Sequence, residues 1–219
     1  MKTSVMTPIV LLICFLLVLP GCQSAYYGAL EKVGIHKREL MVDRVEEARD
    51  AQAEAKEQFQ SALEQFGSVV RVRGGDLEQK YNTLNSVYEE CRERAEQVHR
   101  RIESVENVSE ALFDEWEDEL GEYSNRSLRE ESRRKLRVTR RDYERLIGAM
   151  RRAEKKIYPV LAAFHDQVLY LKHNLNARAL SSLQVELVAI EDDVAGLVEE
   201  MEVSIREAEQ FIETLRRAG

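Results

Sequence analysis

"LEQKYNTLNSVYEECRERAEQVHRRIESV", residues 77–105, decides the fold. Steps of four and three, taken alternately from Leu77, land on Tyr81, Leu84, Tyr88, Cys91, Ala95, Val98, Ile102 and Val105. Every one is apolar or aromatic. A repeat of about 3.5 residues draws one apolar seam along a helix and packs it with coiled-coil geometry. Cys91 stands on that seam, which predicts a buried small hydrophobe rather than a nucleophile or an intermolecular bridge.

The repeat extends in both directions. Upstream it reads Met41, Val45, Ala48, Gln52, Ala55, Phe59, Ala62, Phe66 and Val69. Downstream, steps of seven from Leu136 give Tyr143, Met150, Ile157, Phe164 and Leu171, with a companion row of Ile147, Glu154, Leu161, Val168 and Leu175. The last seam runs Leu180, Leu183, Leu187, Ile190, Val194, Leu197 and Met201. An extra step then leads to Ile205, Ala208, Ile212 and Leu215, a predicted stutter.

Caps and breakers divide these seams. Asp76-x-x-Gln79, Asn107-x-x-Glu110, Ser127-x-x-Glu130 and Ser181-x-x-Gln184 resemble capping boxes. Gly67, "RGGD" (73–76), "GEYSNRS" (121–127) and "NLNARALS" (174–181) read as breaks. Helices are expected at 29–67, 77–106, 109–122, 128–174 and 181–217. Ten glycines and three prolines in 219 residues suit long helices. The expected fold class is all-α, an elongated antiparallel helical bundle with coiled-coil-like heptad packing. Short connections favour hairpins within one chain over a continuous coiled-coil dimer.

The opening segment predicts a location. Lys2 precedes the apolar run "IVLLICFLLVL" (9–19), and Gly21 precedes Cys22. That run is too short to span a bilayer, which takes about 20 residues, but it suits an export signal. Leu19-Pro20-Gly21-Cys22 resembles the bacterial lipobox, with Pro20 departing from the usual small or β-branched residue. On this reading residues 1–21 are a signal peptide cut between Gly21 and Cys22. Cys22 becomes the lipidated first residue, carrying a diacylglyceryl thioether and a palmitate-type acyl group on its amine. Residues 22–28 are the anchor and tether, and 29–219 the bundle. Gln23 rather than Asp at the next position resembles the sorting signal for the outer membrane. "YYGALEKVG" (26–34) is either an interfacial segment or a plain tether into the first helix.

Charge is unevenly placed. Residues 103–122 hold nine acids and no Lys or Arg, whereas 126–156 hold thirteen bases and five acids. Folded as a hairpin about Asn125, the blocks would face each other, with Glu115 near Lys135, Glu110 near Arg140, and Glu106 near Arg145. The other reading gives the basic block 126–156 to lipid headgroups or lipopolysaccharide. The formal net charge of −8 argues against nucleic acid as a partner.

Residues able to do chemistry are sparse. No Gly-rich phosphate loop, Gly-x-Ser-x-Gly or zinc-type Cys/His spacing occurs. Glu96-x-x-His99 matches half of a di-iron helical motif, but His36, His165 and His173 lack a Glu three residues before. His165-Asp166 reads as a boundary polar pair, and Trp116 as core. No catalytic residue, metal ligand or cofactor is expected.

"YYGALEKVGIHKRELMVDRVEEARDAQAEAKEQF" (26–59) and "YPVLAAFHDQVLYLKHNLNARAL" (158–180) resemble a family of proteobacterial lipoproteins of unknown function. The resemblance implies a Gram-negative source and supplies no activity. A likeness to the arms of chromosome-maintenance ATPases is generic heptad composition, with no Walker motif. The expected function is therefore an outer-membrane-anchored periplasmic lipoprotein acting as a non-catalytic binding or scaffold module, its partner an envelope protein or a second copy of itself. The rival expectations are a lipid or lipopolysaccharide binder, and an envelope hydrolase or metal-dependent oxidase.

Overall fold

A computed structural model of the chain describes residues 36–71, 76–174 and 177–218. Four helices account for nearly all of them: α1 (Lys37–Arg71), α2 (Leu77–Glu119), α3 (Arg126–His173) and α4 (Ala177–Ala218). Each packs against the next, and α4 returns to α1, closing a four-helix antiparallel bundle. At about 1.5 Å per residue the 48-residue α3 is roughly 70 Å long. One end gathers the start of α1, the α2–α3 turn and the end of α4; Lys37 Nζ meets Glu115 at 2.6 Å and Arg216 meets Glu46 at 2.6 Å. The opposite end joins the end of α1 to the starts of α2 and α4. There Lys80 Nζ donates to the Val69 carbonyl at 2.8 Å and Gln184 Nε2 to the Val70 carbonyl at 3.0 Å.

The α1 seam is buried as the repeat predicts from Met41 to Phe66, with Met41, Val45, Ala48, Gln52, Ala55, Phe59, Ala62 and Phe66 all fully covered, but the last predicted position, Val69, is half-buried and Val70 is buried in its place. Alanines let the neighbouring helices come close, and phenylalanines fill the wider stretch. Phe164 of α3 reaches across the bundle and stacks on Phe66 (ring centroids 4.4 Å apart) and Phe59 (6.3 Å). Cys91 is fully buried, and burial pushes its thiol up to about 12, so little thiolate forms at neutral pH.

Four helices replace the five expected, because α2 does not stop at residue 106. Asn107-x-x-Glu110 caps nothing. Ser109 is buried on the seam, its hydroxyl donating to the Glu106 carbonyl one turn back at 2.7 Å. The four–three stepping passes through it from Val105 to Leu112 and Trp116, all buried.

The predicted stutter in α4 is likewise absent. The buried residues Leu197, Met201, Ser204, Ala208, Phe211 and Leu215 keep an unbroken four–three alternation; Ile205 of the shifted row is half-buried, while its Ile212 is buried beside Phe211. Ser204 holds the seam position because its hydroxyl donates to Gln52 Oε1 of α1 at 2.7 Å. Both side chains are fully covered. Such a polar pair in an apolar seam favours one register, since sliding either helix would bury its groups unpaired.

Three helix ends also differ from expectation. Gly67 does not end α1; it is buried inside the helix, where an added Cβ would lie 3.6 Å from Leu187 Cδ2. The N-cap of α3 is Asn125, not Ser127; its Oδ1 accepts from the amides of Ser127 (2.9 Å) and Leu128 (3.2 Å). Helix α4 already runs at Ala177, so Ser181 is internal; the Ala177–Leu180 stretch is rich in helix formers. Asp76 caps α2 as predicted, accepting from Glu78 N at 2.9 Å and Gln79 N at 3.2 Å.

Pro159 lies inside α3 and is exposed, so its missing N–H and its ring face solvent rather than the core. Pro159→Ala should give a folded protein no less stable than the parent, with a gain of up to about 3 kcal/mol if the bend serves no packing purpose. Thermal melts check this. A clear fall in Tm would show that the core is shaped around the bend.

Candidate functional site

Gly21, Cys22 and the segment 26–34 lie outside the described residues. What the structure places is the point from which the bundle leaves that segment. The first turn of α1 packs on the α2–α3 turn: beside the Lys37–Glu115 pair, the Arg38 guanidinium lies over the Trp116 ring at 5.3 Å. Trp116 is held in turn by its indole N–H, which donates to Ser132 Oγ of α3 at 2.8 Å. As expected, Trp116 is core, in a small cluster with Phe113, Leu120 and Leu136. The start of α1 is thereby fixed beside the start of α3.

The basic block on α3 splits into two parts. Four arginines of its later half are tied to neighbouring acids: Arg140 meets Glu117 at 2.6 Å, Arg151 meets Glu106 and Glu154, and Arg145 and Arg152 reach Glu207 (3.7 Å) and Glu200 (3.5 Å) of α4, while Lys155 and Lys156 are exposed and make no ion pair among the described residues. The acidic and basic blocks therefore meet, but not in the predicted pairs. Arg140 takes Glu117, where a register centred on Asn125 would give it Glu110. Glu106 takes Arg151 rather than Arg145, and Glu115 goes to Lys37 rather than Lys135. The side chains pair one heptad out of the predicted register. Near the turn, Lys135 and Arg133 pair only within their own helix, with Glu131 and Glu130. Arg126, Arg134 and Arg137 are exposed and make no ion pair among the described residues.

The one acid on the companion seam, Glu154, is buried and fully engaged. Its Oε1 lies 2.6 Å from His99 Nδ1, and Arg151 donates to Oε2 at 2.7 Å. Burial alone would raise its pKa, but the hydrogen bonds from Arg151 and His99 outweigh that and hold the carboxyl below its ordinary value. His99 thus joins a charge network between α2 and α3. Glu96, its partner in the half di-iron motif, reaches instead towards Arg100 at 3.7 Å. His165 packs against Tyr88 with the rings tilted by 37° and centroids 5.1 Å apart, while Asp166 is exposed. Among the described residues, no group of three or more His, Cys, Asp or Glu is placed to hold a metal ion, and no helix is long and apolar enough to cross a membrane.

A family model described as a protein of unknown function (DUF2959) matches residues 26–215. The chain belongs to the DUF2959 family. The DUF2959 match begins four residues after Cys22 and takes in all four helices almost to the end of α4. It therefore concerns the bundle. No curated protein matches the sequence.

Proposed function

We propose that this DUF2959 chain is a lipid-anchored protein of the Gram-negative outer membrane, facing the periplasm, whose bundle is a non-catalytic binding or scaffold module. The observation that carries the reading is Leu19-Pro20-Gly21-Cys22 at the end of an apolar run, fifteen positions before the first helix. A diacylglyceryl group with an amide-linked acyl chain gives more than one hydrocarbon chain, which holds a protein stably in a membrane where a single chain does not. The bundle supports the second half of the reading. Cys91 is buried as a neutral thiol, and Glu154 and His99 are spent on packing a charge between helices. The partner is an envelope protein or a second copy of the chain.

Cys22→Ser should remove the lipid and move the protein from the membrane pellet to the soluble fraction. Fractionation with a salt wash and labelled fatty acid measures this. A variant that stays in the pellet after the wash contradicts the anchor. Crosslinking in intact cells, followed by capture and mass spectrometry, then tests for an envelope partner.

A further inference from the structure

We propose that the outward face of α3, from Arg126 to Arg141, docks on an anionic phospholipid leaflet, so that the bundle contacts the membrane that holds it. The inference rests on the anchor reading of Cys22 for its choice of surface. Three observations carry it.

The first is charge left over after folding. Of the acids that the sequence sets against this stretch, Glu115 is engaged by Lys37 and Glu117 by Arg140, while Glu110, Asp114, Asp118, Glu119 and Glu122 are exposed on α2 and its turn and make no ion pair with this face of α3 among the described residues. Arg126, Arg134 and Arg137 remain exposed and unpaired among the described residues. The Arg141 side chain is 66% exposed, and its one ion pair among the described residues is with its neighbour Asp142 at 3.3 Å. The acids of the same stretch, Glu130 and Glu131, are matched by Arg133 and Lys135, so they do not cancel the surplus. Basic side chains on a surface of this kind are attracted to anionic headgroups within a Debye length.

The second is position. The start of α1 is pinned to the end of α2 by Lys37–Glu115 and Arg38–Trp116, and Trp116 is in turn held to the second turn of α3 through Ser132. The fifteen positions from Cys22 to Lys37 reach at most about 50 Å when fully extended. The leaflet that holds the lipid is therefore always within reach of this end, and the tether keeps its local concentration high. The basic stretch from Arg126 to Arg141 spans about 22 Å of helix and sits at this end, not the far one.

The third is apolar side chains left in water at the same end. Val138, one turn from Arg134 and Arg141, is 44% exposed, and Leu128 (52%) and Tyr123 (37%) are exposed at the same end in the groove beside Arg38 and Trp116. Basic residues with a few exposed aliphatic and tyrosine side chains suit the boundary between headgroups and acyl chains.

The test uses the mature chain, residues 22–219 carrying Cys22→Ser, so that no lipid contributes. Its binding to phosphatidylethanolamine vesicles with and without 30% phosphatidylglycerol is measured by flotation at low and high salt. We expect binding to the anionic vesicles alone, lost at high salt. The triple variant Arg126→Glu, Arg134→Glu, Arg137→Glu should bind at least 100-fold more weakly with an unchanged helical spectrum. Should that variant unfold, the same three positions as Gln should still bind at least tenfold more weakly. Reversing Arg71 and Arg92, exposed arginines away from this stretch, should leave binding intact. Failure of the parent to bind anionic vesicles, full binding by the triple variant, or tighter binding to duplex DNA than to vesicles would overturn the proposal. Because the protein tested carries no lipid, none of these outcomes bears on whether Cys22 is acylated.

Discussion

Phe164→Ala should destabilise the bundle by about 3–5 kcal/mol, the range for emptying a fully buried aromatic site. Phe164 is completely covered and lies between Phe66 and Phe59, so the substitution leaves two rings facing a void. The helices cannot collapse to fill it, because their spacing is fixed along the whole seam by other layers. The residue joins α3 to α1, helices that face each other diagonally across the core. Its loss therefore weakens the contact that makes four helices one unit. Phe164→Leu, which keeps most of the volume, should cost under about 1.5 kcal/mol. Urea unfolding of the two variants measures the difference. A cost below about 1 kcal/mol for the alanine variant would mean that the stack is not formed in solution.

Arg151→Met should destabilise by about 2 kcal/mol at neutral pH, and the loss should shrink in acid. Arg151 donates to Glu154, whose side chain is only 7% exposed, and also pairs with Glu106. Removing it leaves Glu154 with His99 alone and restores the burial penalty on its charge. The pH dependence follows from the direction of the shift. In the parent the Glu154 carboxyl is held below its ordinary value of 4.5. Its contribution to stability is fully present above that value and is lost as pH falls through the depressed one. In the variant the buried carboxyl protonates readily, so below about pH 4 the difference between the two proteins narrows. Arg151→Met combined with Glu154→Leu should recover much of the loss, because it removes the buried charge with its partner. Denaturation at pH 7 and pH 4 checks this. Equal losses at both values would mean that Glu154 is not the group left unpaired.

Most of the fold was legible in the apolar seams. Every position read for α1 from Met41 to Phe66 is fully buried, and Cys91, Trp116 and Phe164 lie in the core as their spacing implies. The missed continuation of α2 and the stutter read into α4 have one physical cause, which is a polar residue on the seam. The expected helix at 109–122 puts a boundary at Ser109, and the expected stutter steps past Ser204 to Ile205. A heptad template rewards hydrophobicity, whereas a seam position needs only that its polar atoms find partners. Ser109 finds the Glu106 carbonyl, and Ser204 finds Gln52 on a helix about 150 residues away in sequence. The signal was present in the stepping itself, since both serines fall where an unbroken four–three alternation lands. The charge pairing between α2 and α3 was legible in outline only. Counting outward from the turn assumes two straight helices meeting symmetrically, while the real partners are long side chains that choose among acids on two neighbouring helices. That freedom sends Arg145 and Arg152 to α4.

The proposed anchor rests on local sequence alone: the Leu19-Pro20-Gly21-Cys22 pattern is read without any folding, and it lies outside the described residues. The basic block was visible as composition, but which of its bases are paired depends on which acids α2 and α4 present. No linear count supplies that.

The most direct test is the mass of the N-terminal peptide from protein purified out of native membranes. The account predicts a mature chain that begins at Cys22, with the peptide heavier than its sequence by a diacylglyceryl group and an amide-linked fatty acid. A peptide that still begins at Met1, or a chain cut elsewhere with Cys22 unmodified, would contradict it.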